Sequence, residues 1–224
     1  MLDLNERMVT RIEPPHSLPR KTKTIRFMLP AFNEADALPT MLEDLDETLS
    51  RCPFPYHVTI VDDGSTDDTA ALMRQGEKEF PVSLISHPRN RGLAAAMRTG
   101  LNAVSAEAGP DDIIITMDSD NTHPIGLVPR MIEMIHEGRD IVVASRFRPG
   151  SRVMGVPGFR QVTAFAAGKL FACLFPIPGI RDYTCGYRAY RADAINLGMK
   201  TYGEKFISEE GFSCMVDLLL KLSR

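Results

Sequence analysis

Residues Ile113 to Asp120 read IIITMDSD, an unbroken apolar run that ends in two carboxylates separated by one small residue. A short apolar run of this kind marks a strand buried on both faces, as in a parallel sheet flanked by helices. An open α/β sheet binds its ligands beyond the carboxyl ends of its strands, so Asp118 and Asp120 fall where a ligand goes. Hard divalent ions, Mg2+ or Mn2+, are held by one or two carboxylates together with the oxygens of substrate phosphates. An isolated Asp-x-Asp serves equally well as a turn former or helix cap. The choice rests on what surrounds it.

On either side of this run, strand-like and helix-like patterns alternate. Thr24 to Leu29, Val58 to Val61, Val82 to Ile85 and Ile141 to Ala144 read as further strands, and Tyr187 to Tyr190 as another short one. Leu38, Met41, Leu42, Leu45 and Leu49 recur at steps of three and four and stripe one helix, while Leu93, Met97, Leu101 and Val104 stripe another. Ser65 or Thr66 is expected to cap a helix after the second strand, and Pro124 to open one through about His136. Repeated strand and helix units with short connections predict an α/β fold: a single Rossmann-like, mainly parallel sheet with helices on both faces.

Composition narrows the classes of function. The chain has 224 residues, 44% of them apolar and 25% charged, and a net charge of -3. Nucleic acid is not an expected partner, because duplex binding depends on neutralising many phosphates with Lys and Arg. The four cysteines form no Cys-x-x-Cys pair, which argues against zinc and against a disulfide scaffold and fits a reducing cytoplasm. Residues 1 to 22, with three prolines and no apolar core, are expected to be a disordered tail ahead of one domain over residues 23 to 224. No segment reaches the ~20 uninterrupted apolar residues of a spanning helix. Val162 to Pro178 reads either as a buried helix or as an in-plane helix that dips its apolar face into a bilayer. The second reading expects peripheral attachment at the cytoplasmic face of a membrane. A helical pattern still runs from Phe212 to Arg224 at the end of the sequence, so the domain is expected to be truncated at its C-terminus.

Two other strand ends converge on the same crevice. Pro30-Ala31-Phe32-Asn33-Glu34 follows the first strand, and its Glu34 is suited to accept bonds from ribose hydroxyls. Asp62-Asp63-Gly64-Ser65-Thr66-Asp67 follows the second, where an acid deep in the crevice can accept an N–H from a nucleobase edge. Guanine and uracil both present such a donor. Two adjacent acids at the end of a buried strand need partners, because an unpaired buried charge is costly.

In order and spacing, these two segments, Asn90-Arg91-Gly92-Leu93-Ala94-Ala95-Ala96 and Asp118-Ser119-Asp120 resemble the motifs of glycosyltransferase family 2. Ser145-Arg146-Phe147 and Asp182 to Arg188 (DYTCGYR) are similar to downstream motifs of its dolichol-phosphate mannosyltransferase branch, which transfers sugar to polyprenyl phosphates. The resemblance covers about Thr24 to Leu222. It implies a GT-A fold and a metal-dependent inverting glycosyltransferase using a nucleoside-diphosphate sugar of the GDP-mannose or UDP-glucose type. It also implies that Pro30, Phe32, Glu34 and Asp63 hold the nucleoside, and that Asp118 and Asp120 hold Mg2+ or Mn2+ on the donor diphosphate. Asp62 and Ser119 are read as part of the same nucleotide-sugar site. Where that branch often has a metal-binding glutamine, this chain has Thr122, a shorter ligand. His123 reads as a helix-entry residue rather than a ligand.

A phosphate-monoester acceptor is already an oxyanion and needs no general base. It needs cations, and Arg146 and Arg188 are the first candidates, with Arg160 and Arg191 behind them, since guanidinium matches phosphate in bidentate geometry. Asp120, Arg146 and Arg188 are thus the expected catalytic set. A sugar-hydroxyl acceptor would need a carboxylate base, for which Glu209, Glu210 and Asp182 are available, although the two glutamates read better as an acidic first turn of the last helix. A phosphohydrolase with Asp118 as nucleophile is a distant alternative. The Asp-x-Asp follows the fourth strand rather than the first, and the later Lys and acidic elements are missing. An inactive nucleotide-binding module is the non-enzyme alternative, which the retention of both aspartates disfavours.

Overall fold

The computed structural model describes residues 9–11, 24–146, 171 and 173–223. Seven strands form one sheet: β1 (Val9–Arg11), β2 (Ile25–Ala31), β3 (Tyr56–Asp62), β4 (Val82–Ser86), β5 (Ile113–Thr116), β6 (Ile141–Ala144) and β7 (Arg188–Arg191), in the spatial order β1-β6-β7-β5-β2-β3-β4. The pairs β2–β3, β3–β4 and β2–β5 are parallel, whereas β7 runs antiparallel to both β5 and β6. Strands β2 to β6 therefore share one direction, which makes the sheet mainly parallel as expected. β1 pairs antiparallel with β6, so part of the segment expected to be a loose tail is sheet edge.

The chain leaves β2 for β3 and β4 on one side and returns to place β5 on the other. The order reverses between β2 and β5, and the crevice opens at such a reversal, beyond the carboxyl ends of the two strands. Ala31 and Thr116 close those ends, so the Phe32–Glu34 and Asp118–Asp120 segments flank one opening.

Helices cover the sheet. α1 (Leu38–Leu49) buries the predicted leucine and methionine stripe and packs beside α2 (Thr69–Gly76). α3 (Leu93–Glu107) turns Ala94, Ala95, Ala96, Met97 and Gly100 inward and lies on β2 and β3. A Cβ at Gly100 would come within 2.6 Å of the Met28 side chain, so glycine there sets how closely helix and sheet approach. A single 3-10 turn (Ile125–Leu127) leads into α4 (Val128–His136), which packs on β6 and β7. α5 (Ala192–Tyr202) and α6 (Ser213–Leu222) pack together and, with α3, form the other helical group.

Two local expectations fail. Neither Ser65 nor Thr66 caps α2, which starts at Thr69; their polar groups are drawn instead to the neighbouring strand end. Glu209 and Glu210 precede α6 and are not in its first turn. Of Val162 to Pro178, residues 162–170 and 172 lie outside the described residues, as does Arg160. Phe171, Cys173 and Leu174 are helical.

Candidate active site at the β2–β5 crevice

The crevice floor is built by stitching strand ends together. Asn33 sits in the left-handed region at φ 58, a conformation asparagine tolerates better than most residues. Its N–H donates to Ser65 Oγ at 2.9 Å, and its side-chain oxygen accepts the Thr66 N–H at 2.8 Å. Glu34 N–H donates to Thr69 Oγ1 at 2.9 Å and Ala35 N–H to Asp67 Oδ2 at 3.2 Å. The Thr69 hydroxyl and N–H hold the Asp67 carboxyl below its ordinary value, outweighing the small effect of burial. Gly64, at φ 74, lies so close to the next loop that a Cβ would sit 2.3 Å from the Arg89 carbonyl carbon. Ser119 is buried and donates its hydroxyl to the Pro30 carbonyl at 2.7 Å, tying the end of β5 to that of β2. Its hydroxyl proton is thereby directed into the protein frame.

Asp118 and Asp120 stand at the mouth of this frame, each anchored through one oxygen. Asp120 Oδ1 accepts the Thr122 N–H at 3.0 Å and the Thr122 hydroxyl at 2.7 Å. Asp118 Oδ2 lies 3.0 Å from His123 Nε2. Thr122 therefore orients Asp120, its hydroxyl proton and N–H both directed at that carboxylate. Asp118 Oδ1 and Asp120 Oδ2 have no hydrogen-bond partner among the described residues. A Cβ on Gly186 would lie 3.0 Å from Asp118 Oδ1, so the absence of a side chain there keeps space open beside that oxygen. Burial raises the Glu34 carboxyl above its ordinary value, and the charges of Asp120, Asp118 and Asp67 raise it further. Clustered carboxylates, hard oxygen donors and the space left by Gly186 fit a divalent cation of the Mg2+ or Mn2+ type. Among the described residues, no three acidic, histidine or cysteine side chains already converge as a closed metal cage. An open site completed by substrate oxygens matches that pattern.

The profile of glycosyl transferase family 2 matches residues 27–198, a span that contains the crevice-forming ends of β2, β3 and β5. The chain belongs to glycosyl transferase family 2. It is 27% identical over 198 residues to the dolichol-phosphate mannosyltransferase of Pyrococcus furiosus, an alignment that covers 88% of this chain and 52% of the relative. It is 28% identical to the polyprenol monophosphomannose synthase of Mycolicibacterium smegmatis, over 89% of this chain and 72% of that protein. The chain thus spans about half the length of the first of these relatives. Among solved structures, the UDP complex of glucosyl-3-phosphoglycerate synthase from Mycobacterium tuberculosis superposes with a TM-score of 0.58 at 22% identity, covering 88% of this chain and 64% of that one. The fold is GT-A, as the resemblance implied.

Within this family 2 domain the other expected residues separate by environment. Phe32 is 42% exposed at the crevice edge, whereas Pro30 is half-buried beside it. Asp62 and Asp63 are both buried. Asp62 Oδ1 accepts the Ser65 N–H at 2.9 Å. Asp63 meets His87 Nδ1 at 2.6 Å, accepts the Gly92 N–H at 2.7 Å and shares the Arg91 N–H between both oxygens. Its carboxyl is occupied with shaping the 87–92 loop, so reading a nucleobase edge with Asp63 requires one of these bonds to be exchanged.

The arginines divide more sharply. Arg146 is gripped by Asp182 through Nε at 2.9 Å and Nη2 at 3.0 Å, and reaches Thr184 Oγ1 at 2.7 Å. These bonds and the Asp182 charge raise its pKa against the opposing effect of burial, and the Asp118 charge adds in the same direction. Arg146 thus lies within the field of the Asp-x-Asp. Asp182 is fully buried, and although burial pushes its carboxyl up, Arg146 and the surrounding N–H groups hold it below the ordinary range. Arg188 contradicts expectation. It is 0% exposed, and its guanidinium donates to the carbonyls of Cys185, Met215 and Tyr183 at 2.7 to 2.8 Å. Surrounded by carbonyls and closed to solvent, it holds the chain together and cannot meet an acceptor phosphate. Arg191 is also displaced: it pairs in register with Ile113, at the opposite end of β5 from Asp118, and binds Asp193 and Asp140.

Sequence reasoning overlooked Asn33, His87 and Gly186, and read His123 only as a helix-entry residue. Asn33 and Gly186 stood inside quoted motifs without a role, and only their three-dimensional neighbours supply one. His87 carried no local signal, since its partner lies 24 residues away.

Proposed function

We propose that this domain transfers a sugar from a nucleoside-diphosphate sugar to a polyprenyl phosphate. The observation that carries the reading is the pair of singly anchored aspartates at the β2–β5 crevice, with Glu34 on its facing rim. The two relatives, named for sugar transfer to dolichol phosphate and for polyprenol monophosphomannose synthesis, favour the lipid-phosphate acceptor. A further crystal structure of the mycobacterial synthase holds Mn2+ and UDP-glucose, which supports a metal and a nucleotide sugar in a crevice of this fold. Phe32 and Pro30 would pack against the nucleoside, with Glu34 towards the ribose.

Asp118 and Asp120 would hold Mg2+ or Mn2+, which when bound neutralises charge on the departing diphosphate. The protein's own contribution is placement and charge. Thr122 and His123 set the orientation of the two carboxylates, Ser119 fixes the loop between them, and Asp182 aims Arg146 towards the acceptor side. An acceptor phosphate arrives as an oxyanion, so the domain has to orient it rather than deprotonate it. A hydroxyl acceptor finds a poorer match in Asp182, which is buried and ion-paired, while Glu209 and Glu210 lie exposed ahead of α6.

Among the described residues no helix is long and apolar enough to cross a membrane. Leu174 and Phe175 are 59% and 41% exposed, consistent with a domain that rests on the cytoplasmic face of a membrane where a lipid acceptor would be held. A thermal-shift panel of GDP, UDP and their sugar conjugates, with and without Mn2+, tests the donor site. One nucleotide is expected to raise the melting temperature, and more so with Mn2+, because a ligand bound only to the folded state stabilises it. No shift with any member of the panel would overturn the nucleotide-sugar reading.

A further inference from the structure

We infer that His123 is a positioning residue of the metal site, fixing Asp118 so that its Oδ1 faces the cation. This inference rests on the proposed function, in which Asp118 and Asp120 hold a divalent metal. The His123 ring is only 14% exposed and its Nε2 sits 3.0 Å from Asp118 Oδ2. Its other side lies against the Tyr187 ring, with centroids 5.0 Å apart. Tyr187 is itself fully buried and its hydroxyl donates to the Pro124 carbonyl at 3.2 Å, so the surface that supports the imidazole is rigid.

One contact fixes this carboxylate, one ring supports that contact, and one glycine leaves space. His123 occupies Oδ2, Tyr187 backs His123, and Gly186, two residues from Arg188 in the same segment, leaves room beside Oδ1. Asp120 receives the equivalent treatment from Thr122, which occupies its Oδ1. Each aspartate is thereby left with one oxygen, Oδ1 of Asp118 and Oδ2 of Asp120, for a cation. A carboxylate free to rotate would have to be ordered when the metal binds, whereas one fixed by a neighbour is ordered beforehand. The pairing also explains why a histidine lies at a helix entry where many residues would serve. Nothing in the 3-10 turn needs an imidazole, since Pro124 leads into it and no side chain caps it.

The test compares Mn2+ affinity in the wild-type chain, His123→Phe and His123→Gln, read from the free-Mn2+ signal in electron paramagnetic resonance. Phe keeps the ring contact with Tyr187 but removes the bond to Asp118, and Gln restores a side-chain N–H. Outer-shell partners of metal ligands are typically worth about 10–100-fold in affinity. His123→Phe is expected to lose at least about tenfold, and His123→Gln to recover most of that loss, while both keep the wild-type melting temperature without metal. A Phe variant that binds Mn2+ as tightly as the wild type would overturn the inference. So would pulsed spectra of the wild-type Mn2+ complex showing a directly coordinated imidazole nitrogen, which would make His123 a ligand. If the wild-type chain binds no Mn2+ while Asp118→Asn behaves identically, the metal reading of the site fails instead.

Discussion

At the scale of single residues, environment rather than identity separates the acids and arginines of this chain. Arg146 and Arg188 look equivalent in the sequence, yet one is a third exposed beside the crevice and the other is sealed among carbonyls. Replacing Arg188 with Met leaves three buried acceptors short of a donor, and each orphaned group costs about 1–3 kcal/mol. Urea unfolding of Arg188→Met is expected to show a loss of at least about 2 kcal/mol, while the KM for the lipid acceptor stays unchanged in the protein that remains folded. A raised KM without loss of stability would return Arg188 to the acceptor site. Glu34 makes a prediction in pH. Its folded-state pKa is raised by burial and by Asp120, Asp118 and Asp67, so its ionisation opposes folding. That penalty is absent when the group is protonated in both states and grows as pH rises through the raised value. Glu34→Gln should therefore melt higher than the wild type at pH 7.5 without metal. The difference should vanish near pH 3.5, and saturating Mn2+ should shrink it at the higher pH. An equal difference at both pH values would contradict the electrostatic account.

At the scale of elements, β1 was missed in the segment read as a loose tail, but β2 to β6 and their order along the chain were legible because each is a short apolar run and each helix carries a periodic stripe. The place of β7 was not. An RAYR strand with antiparallel neighbours gives no sign in its own sequence that it separates β5 from β6. Turn chemistry was legible in kind but not in partner: Ser65 and Thr66 were read as caps for their own helix, and they bond Asn33 across the crevice instead. This cross-stitching depends on the tight approach of Gly64 to Arg89. Gly64→Ala forces a side chain into both a left-handed backbone and a 2.3 Å collision. Strain of that kind costs about 1–3 kcal/mol before the collision is counted. Reduced stability together with weaker nucleotide binding is expected, measured by chemical denaturation and by titration with the nucleotide that shifts the melting temperature most. Unchanged nucleotide affinity would mean that the β3 turn does not shape the donor site.

At the scale of the whole molecule, the reversal of strand order between β2 and β5 makes the separate motifs into one site. Family 2 membership and the GT-A fold were both legible from motif order, because Asp62–Asp67, Asn90–Ala96 and Asp118–Asp120 each follow a strand or open a helix of the same sheet. What the sequence hid was which polar groups the fold would use up internally. Ser119, Thr122, Asp63 and Arg188 are all committed to partners that are remote in sequence or depend on side-chain direction. The functional claim that remains rests on two oxygens and an oriented arginine. It is tested most directly by incubating the protein and Mn2+ with radiolabelled GDP-mannose or UDP-glucose and polyprenyl phosphate in detergent, then extracting into organic solvent. The account expects label in the lipid fraction from one donor, dependent on the acceptor phosphate and abolished by Asp120→Asn in a protein that keeps its melting temperature. Lipid-linked label that persists undiminished in Asp120→Asn, or transfer only to water-soluble acceptors, would contradict it.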